Sequence, residues 1–137
     1  MSAPLALVIF SGTDDRLNAA AVMAAGAAAL GRPVHVFLQY WGLDAFRADH
    51  IDDDHGLAPE AGRDGDEAIR RLRRLGQASW GETFRQAKAL GDVEIQACSL
   101  SMDLLQLTTV ELDPLVDGVE GVTAFWIAAE GAQVVFI

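Results

Sequence analysis

Cysteine is almost absent: Cys98 is the only one in 137 residues. No disulfide can form within the chain, and a reducing compartment, the cytoplasm, is expected. Cationic residues are also few, ten Lys and Arg against twenty Asp and Glu, for a formal net charge of −10. Affinity for a phosphate backbone comes from clustered cations, so this balance argues against nucleic acid as a partner. Long apolar runs are missing too. The Ala-rich stretch from Leu17 to Leu30 is too short to span a bilayer, and the apolar run from Met1 to Phe10 lacks a basic flank, so no transmembrane segment is expected. There is no glycine-rich phosphate cradle, because Ser11-Gly12-Thr13 has neither the spacing nor the lysine of a P-loop.

What is present reads as one domain over residues 1–137, 51% hydrophobic and long enough to bury a two-sided sheet. Leu5 to Phe10 reads as a buried strand, followed by a turn and a helix with Thr13 at its N-cap and Asp14 and Asp15 in its first turn. That helix is Ala-rich and stops at Gly31 and Pro33. Val34 to Tyr40 is a second strand, ending at Trp41-Gly42-Leu43 with a short helix through Arg47. From 48 to 65 the composition turns acidic and rich in turn residues, which predicts a mobile loop. Helices are expected over 67–75, with Ile69, Leu72 and Leu75 as the apolar stripe, and over 80–90. Then come a strand ending near Cys98, a helix over 101–107, a short apolar segment over 115–119, a helix over 122–130 and a strand over 133–137. Strands alternating with helices need cover on both faces. The expected fold is therefore α/β, a three-layer α/β/α arrangement around a mainly parallel sheet of about five strands.

Ligands in open parallel sheets collect beyond the C-terminal strand ends. Three loops meet that condition: Ser11-Gly12-Thr13, Tyr40-Trp41-Gly42 and Cys98-Ser99. Cys98 ends an alternating segment and precedes helix-capping residue types, which puts its sulfur at a helix N-terminus where a thiolate is stabilised. A core-packing role for this cysteine stands beside that reading, since free cysteine is among the most buried residue types.

Competing chemistries are tested by spacing. A rhodanese or cysteine-phosphatase loop needs an arginine six residues after the cysteine, and position 104 is leucine. Cys98-Ser99-Leu100-Ser101 matches a C-x-x-S spacing, so monothiol redox chemistry stays open, although the site falls late in the chain. No His–Asp arrangement for a Cys–His hydrolase is readable. His50-Ile51-Asp52-Asp53-Asp54-His55 has ligand types for a divalent metal but no defined spacing, and it reads as a solvated acidic loop with no metal. His35 reads as a structural residue of the second strand.

The blocks Leu7-Val8-Ile9-Phe10-Ser11-Gly12, Phe37-Leu38-Gln39-Tyr40-Trp41-Gly42-Leu43, Ala97-Cys98-Ser99-Leu100-Ser101-Met102-Asp103 and Val134-Val135-Phe136-Ile137 resemble, in this order, the DsrE/DsrF-like family of sulfur-transfer proteins. The similarity is greatest to its small, peroxiredoxin-like DsrE-type branch. The resemblance implies a three-layer domain that assembles into homo-oligomers and acts without a cofactor. It also implies a sulfurtransferase-like role in which Cys98 carries sulfane sulfur as a persulfide and exchanges it with a TusA-like or rhodanese-like carrier. Ser11, Gly12, Thr13, Tyr40, Trp41, Gly42, Ser99 and Ser101 would line the site. The alternative within the same family is a non-catalytic oligomer subunit or scaffold. One departure stands out: the cysteine helix of the family usually ends in glycine near position 106, where this chain has Gln106, so a different local turn is expected.

Overall fold

The computed structural model describes residues 3–137. Five strands, β1 (Leu5–Ile9), β2 (Val34–Leu38), β3 (Val93–Cys98), β4 (Gly118–Glu120) and β5 (Gln133–Phe136), form one sheet in the order β4-β3-β2-β1-β5. Every pairing is parallel. Parallel neighbours cannot be joined by a hairpin, and every connection between successive strands carries at least one helix.

Alternation along the strands gives the sheet two unlike faces. Leu5, Leu7, Ile9, Val34, Val36, Leu38, Val93, Ile95 and Ala97 point to one side, under α1 (Asp14–Ala29) and α4 (Trp80–Leu90). Here α1 contributes Ala20, Ala21, Ala24, Ala27 and Ala28, small side chains that let it lie close to the sheet and to α4, which adds Phe84 and Ala87. The opposite face carries Ala6, Val8, Phe37 and Cys98 under α6 (Val122–Ala128), whose Phe125 stacks on Phe37 at 4.8 Å between ring centroids. The predicted three layers are present, with one thick apolar side and one thin side.

The thin side is also partly polar. Strand alternation places His35 with Phe37, Glu94 and Gln96 with Cys98, and Glu120 opposite Cys98 in the β3–β4 register. His35 Nε2 lies 2.6 Å from Glu120 Oε1, and its Nδ1 lies 3.7 Å from Glu94 Oε2. His35 thus serves the thin layer as a partly buried hydrogen-bonding partner of Glu120.

Two short helices, α2 (Tyr40–Asp44) and α5 (Ser99–Leu105), pack together at the C-terminal ends of the strands. The remaining helix, α3 (Gly65–Arg74), buries none of its residues. Its expected apolar stripe faces a cavity of about 300 Å³ that Ile69 and Leu72 line with Ile51 and Trp80, while Leu75 is exposed.

Gly42 is required by packing: a Cβ there would lie 2.3 Å from the carbonyl oxygen of Ile9, a backbone atom of a central strand. Gly42→Ala is expected to cost about 3 kcal/mol in urea unfolding, the upper part of the range for overpacking. Gly26→Ala, in α1 with nothing within 4 Å of its added Cβ, is expected to stabilise by roughly 0.5–1 kcal/mol.

Candidate functional site

Three segments meet beyond the C-terminal edge of the sheet. The loop after β1 approaches α2 so closely that a Cβ on Gly12 would lie 2.4 Å from the carbonyl oxygen of Trp41. The Gly42 N–H donates to Phe10 O at 2.9 Å, and the Gln39 N–H donates to Ile9 O at 2.9 Å. These contacts hold α2 against the end of β1. Tyr40 opens α2 with φ of 45°, a left-handed conformation uncommon for an aromatic residue. Its backbone N–H donates to Ser101 Oγ at 3.0 Å, and Ser101 is fully buried. The cysteine helix and the aromatic-Trp-Gly segment are therefore tied by one hydroxyl.

Cys98 ends β3 and occupies the N-cap of α5 with extended backbone, φ −70° and ψ 122°. Its neighbours in the thin layer are Ala6, Val8, Phe37, Phe125 and Ala129, and it is 5% exposed. Ser99, the next residue, is exposed. At the far end of α5, Gln106 takes φ 54° and ψ 43°. The turn expected to differ there keeps the left-handed conformation that glycine favours, with a glutamine holding it. Relief of that strain predicts that Gln106→Gly raises stability by about 1 kcal/mol in denaturant titration.

Of the residues singled out from sequence, Ser11, Gly12, Thr13 and Trp41 share a cavity of about 390 Å³ with Asp44, His50, Asp54 and His55. Cys98, Ser99 and Ser101 are not among its lining residues. Gly42 is buried on the side of α2 that faces Ile9, and Tyr40 turns its ring toward Phe10 at 5.0 Å between centroids. The sulfur is thus no part of this cavity, and the helix it precedes is linked to the Trp41 segment through Tyr40 and Ser101. Within the cavity wall His50 Nδ1 lies 3.0 Å from Asp53 Oδ2, and the His50 and His55 rings meet edge to face at 4.5 Å. No group of three or more ligand side chains among the described residues is arranged to hold a metal ion.

Two acids of α1 have a role that the sequence reading missed. Asp14 accepts from the His55 N–H at 3.1 Å and from Trp80 Nε1 at 3.0 Å, while its own N–H donates to Gly56 O. Asp15 accepts from the Ala58 N–H at 3.1 Å, and Arg16 pairs with Glu60 at 2.6 Å. The N-terminus of α1 thus anchors the acidic segment, with Ile51 and Ala58 buried beneath it. Burial acts to raise the Asp15 pKa, but hydrogen bonds from the Thr13 hydroxyl and from the backbone of Ala58, Arg16 and Asp15 itself outweigh it and hold the carboxyl below its ordinary value. Phe125 and Glu120 were likewise missed; both become visible once β3 and β4 are known to be neighbours.

The family model of the DsrE/DsrF/DrsH-like family matches residues 2–61. That match covers under half of the chain, so the DsrE/DsrF/DrsH-like family is what residues 2–61 resemble. The chain is 28% identical over 149 aligned positions to the uncharacterized protein YrkE of Bacillus subtilis (strain 168), spanning 93% of this chain and 92% of YrkE. Two solved structures share the fold of this chain. The protein of unknown function MTH1491 from Methanobacterium thermoautotrophicum superposes with a TM-score of 0.63 at 15% identity, over 99% of this chain and 100% of its own. The ychN protein of E. coli gives 0.58 at 13% identity, over 98% and 99%. No helix among the described residues is long and apolar enough to cross a membrane.

A depressed carboxyl pKa stabilises the docked segment above the ordinary carboxylate value, and that contribution is lost as pH falls through the lowered one. Pepsin cleavage within 48–61, normalised at each pH to that of an unstructured peptide substrate, is therefore expected to rise as pH falls below the ordinary carboxylate value. Asp15→Asn, compared at each pH, should be cleaved more above that value and show a smaller acid-induced increase.

Proposed function

We propose that this chain traffics sulfur, carrying sulfane sulfur as a persulfide on Cys98 and exchanging it with a TusA-like or rhodanese-like carrier protein in the cytoplasm. The observation that carries this reading is the placement of the lone thiol at the N-cap of α5, at the C-terminal end of a central parallel strand. Unpaired N–H groups at a helix start stabilise a thiolate, which is the nucleophile in such exchange.

The exchange balances without an external oxidant. The Cys98 thiolate attacks the outer sulfur of a donor persulfide, a bond forms between Sγ and that sulfur, and the donor leaves as its thiolate. In delivery the acceptor's thiolate attacks the same sulfane sulfur, and Cys98 departs as thiolate. The apolar neighbours Phe37, Phe125 and Ala129 keep the loaded sulfur from water between the two steps. With Cys98 5% exposed, both steps take place with α6 displaced from the sulfur.

That same burial favours a second reading, in which the chain is a non-catalytic subunit or scaffold of a sulfur-relay complex and Cys98 is core. The two are separated by intact mass after incubation with glutathione persulfide. The first expects a reductant-labile gain of one sulfur atom, absent in Cys98→Ser, and faster alkylation of Cys98 in Phe125→Leu than in the wild-type chain. An unchanged mass with several sulfane donors would leave the scaffold reading.

A further inference from the structure

We propose that the outer edge of β5 pairs antiparallel with β5 of a second copy of this chain, about a two-fold axis at Val135. The strand lies at the end of the sheet beside β1. Natural proteins guard such an edge with charges, proline, a bulge or extreme shortness. The opposite edge strand, β4, has three residues and ends in Glu120. By contrast β5 reads Gln133-Val134-Val135-Phe136, without charge or proline, and keeps an unbroken one-to-one register with β1.

The backbone of β5 is self-complementary. The Gln133 N–H donates to Pro4 O and the Ile137 N–H to Val8 O, so alternation turns Gln133, Val135 and Ile137 toward β1. Val134 and Phe136 present their N–H and C=O groups outward. Across a two-fold axis at Val135, Val134 of one copy stands opposite Phe136 of the other. Each such pair exchanges two hydrogen bonds, which satisfies all four outward groups of each strand that the axis brings together.

Side chains flanking the edge support a second copy over another occupant. On the α1 side a groove of about 580 Å³ is lined by Val22, Met23, Leu30 and Val135. Leu30 is 76%, Phe136 65% and Val22 53% exposed, with Met23 and Val134 exposed as well. Together these leave roughly 400 Å² of apolar side chain per copy, taking typical full-burial areas for such residues. Two copies supply about 800 Å², and at an apolar share of about 65% the interface reaches roughly 1,200 Å², the lower end of the stable range. Charge points the same way. The chain carries −10, so two copies meet most easily over an uncharged strip. Arg32, at its end, is already engaged with Ala3 O and Gln133 Oε1.

Sedimentation of the full chain at micromolar concentration is expected to show a dimer or an even-numbered assembly built on it. Val134→Pro removes one outward donor and leaves the bonds to β1 intact, so it should halve the assembled mass with secondary structure retained. If Val134→Pro does not fold, Val134→Lys tests the same edge through repulsion across it. In a Cys98→Ser background, Val135→Cys should cross-link two copies under copper–phenanthroline oxidation, since directly opposed Cα atoms of a non-hydrogen-bonded pair lie about 4.5 Å apart. Val134→Cys should not, because its counterpart across the axis is offset along the strand to beyond about 7 Å. A monomeric wild-type chain, an assembly unchanged by either Val134 variant, or equal cross-linking from positions 134 and 135 would overturn the proposal.

Discussion

The arrangement beyond the sheet depends on two missing side chains. Gly12 and Gly42 let backbone meet backbone, the loop after β1 against Trp41 and the start of α2 against Ile9. Any larger residue would push α2 away from the strand ends. With α2 held there, the Tyr40 N–H falls within reach of Ser101, and the buried hydroxyl fixes the helix that begins at Cys98. A contact at β1 thereby sets the backbone around a sulfur two strands away, through β1, α2 and α5 in turn. The left-handed φ at Tyr40 is the local strain that this chain of contacts sustains.

The two faces of the sheet differ in how much apolar surface they bury. Under α1 and α4 the strands bury leucine, isoleucine and valine against alanine and phenylalanine, and most of the apolar surface removed from water lies there. The α6 face has a smaller apolar cluster and a polar flank of His35, Glu94, Gln96 and Glu120. A hydrogen bond between partly buried polar side chains adds little net stability, since it replaces bonds to water. The thick side therefore holds the domain together, and the thin side is the one that carries the thiol.

Local signals in the chain marked most elements correctly because hydrophobic period and glycine stops are local. The helix over 80–90 and the start of β2 at Val34 coincide with the expectation. The cysteine helix begins at Ser99, two residues before the expected Ser101. Its serines looked like caps, yet Cys98 takes the N-cap and the Ser101 hydroxyl is drawn to Tyr40 instead. The stripe Ile69, Leu72 and Leu75 formed its helix without being buried, since nothing in a period says whether a partner face exists. Asp14 and Asp15 were legible as first-turn acids, but their bonds to Gly56, His55 and Ala58 span some forty residues. The His35–Glu120 pair was beyond reach for the same reason, as it depends on which strands are neighbours.

Because α6 rests on a small apolar patch beside a polar one, its detachment disturbs less of the core than that of α1 or α4 would. Lifting it leaves the β1–β2–β3 ladder and the α1–α4 layer in place. In the proposed exchange, access to Cys98 is then an equilibrium population rather than a fixed opening. Every 1.4 kcal/mol by which α6 is docked more firmly lowers the exposed fraction about tenfold. The reactivity of the sulfur toward any reagent is thus its intrinsic rate multiplied by that fraction, so residues that never touch it, such as those anchoring α6 to the sheet, set how fast it reacts.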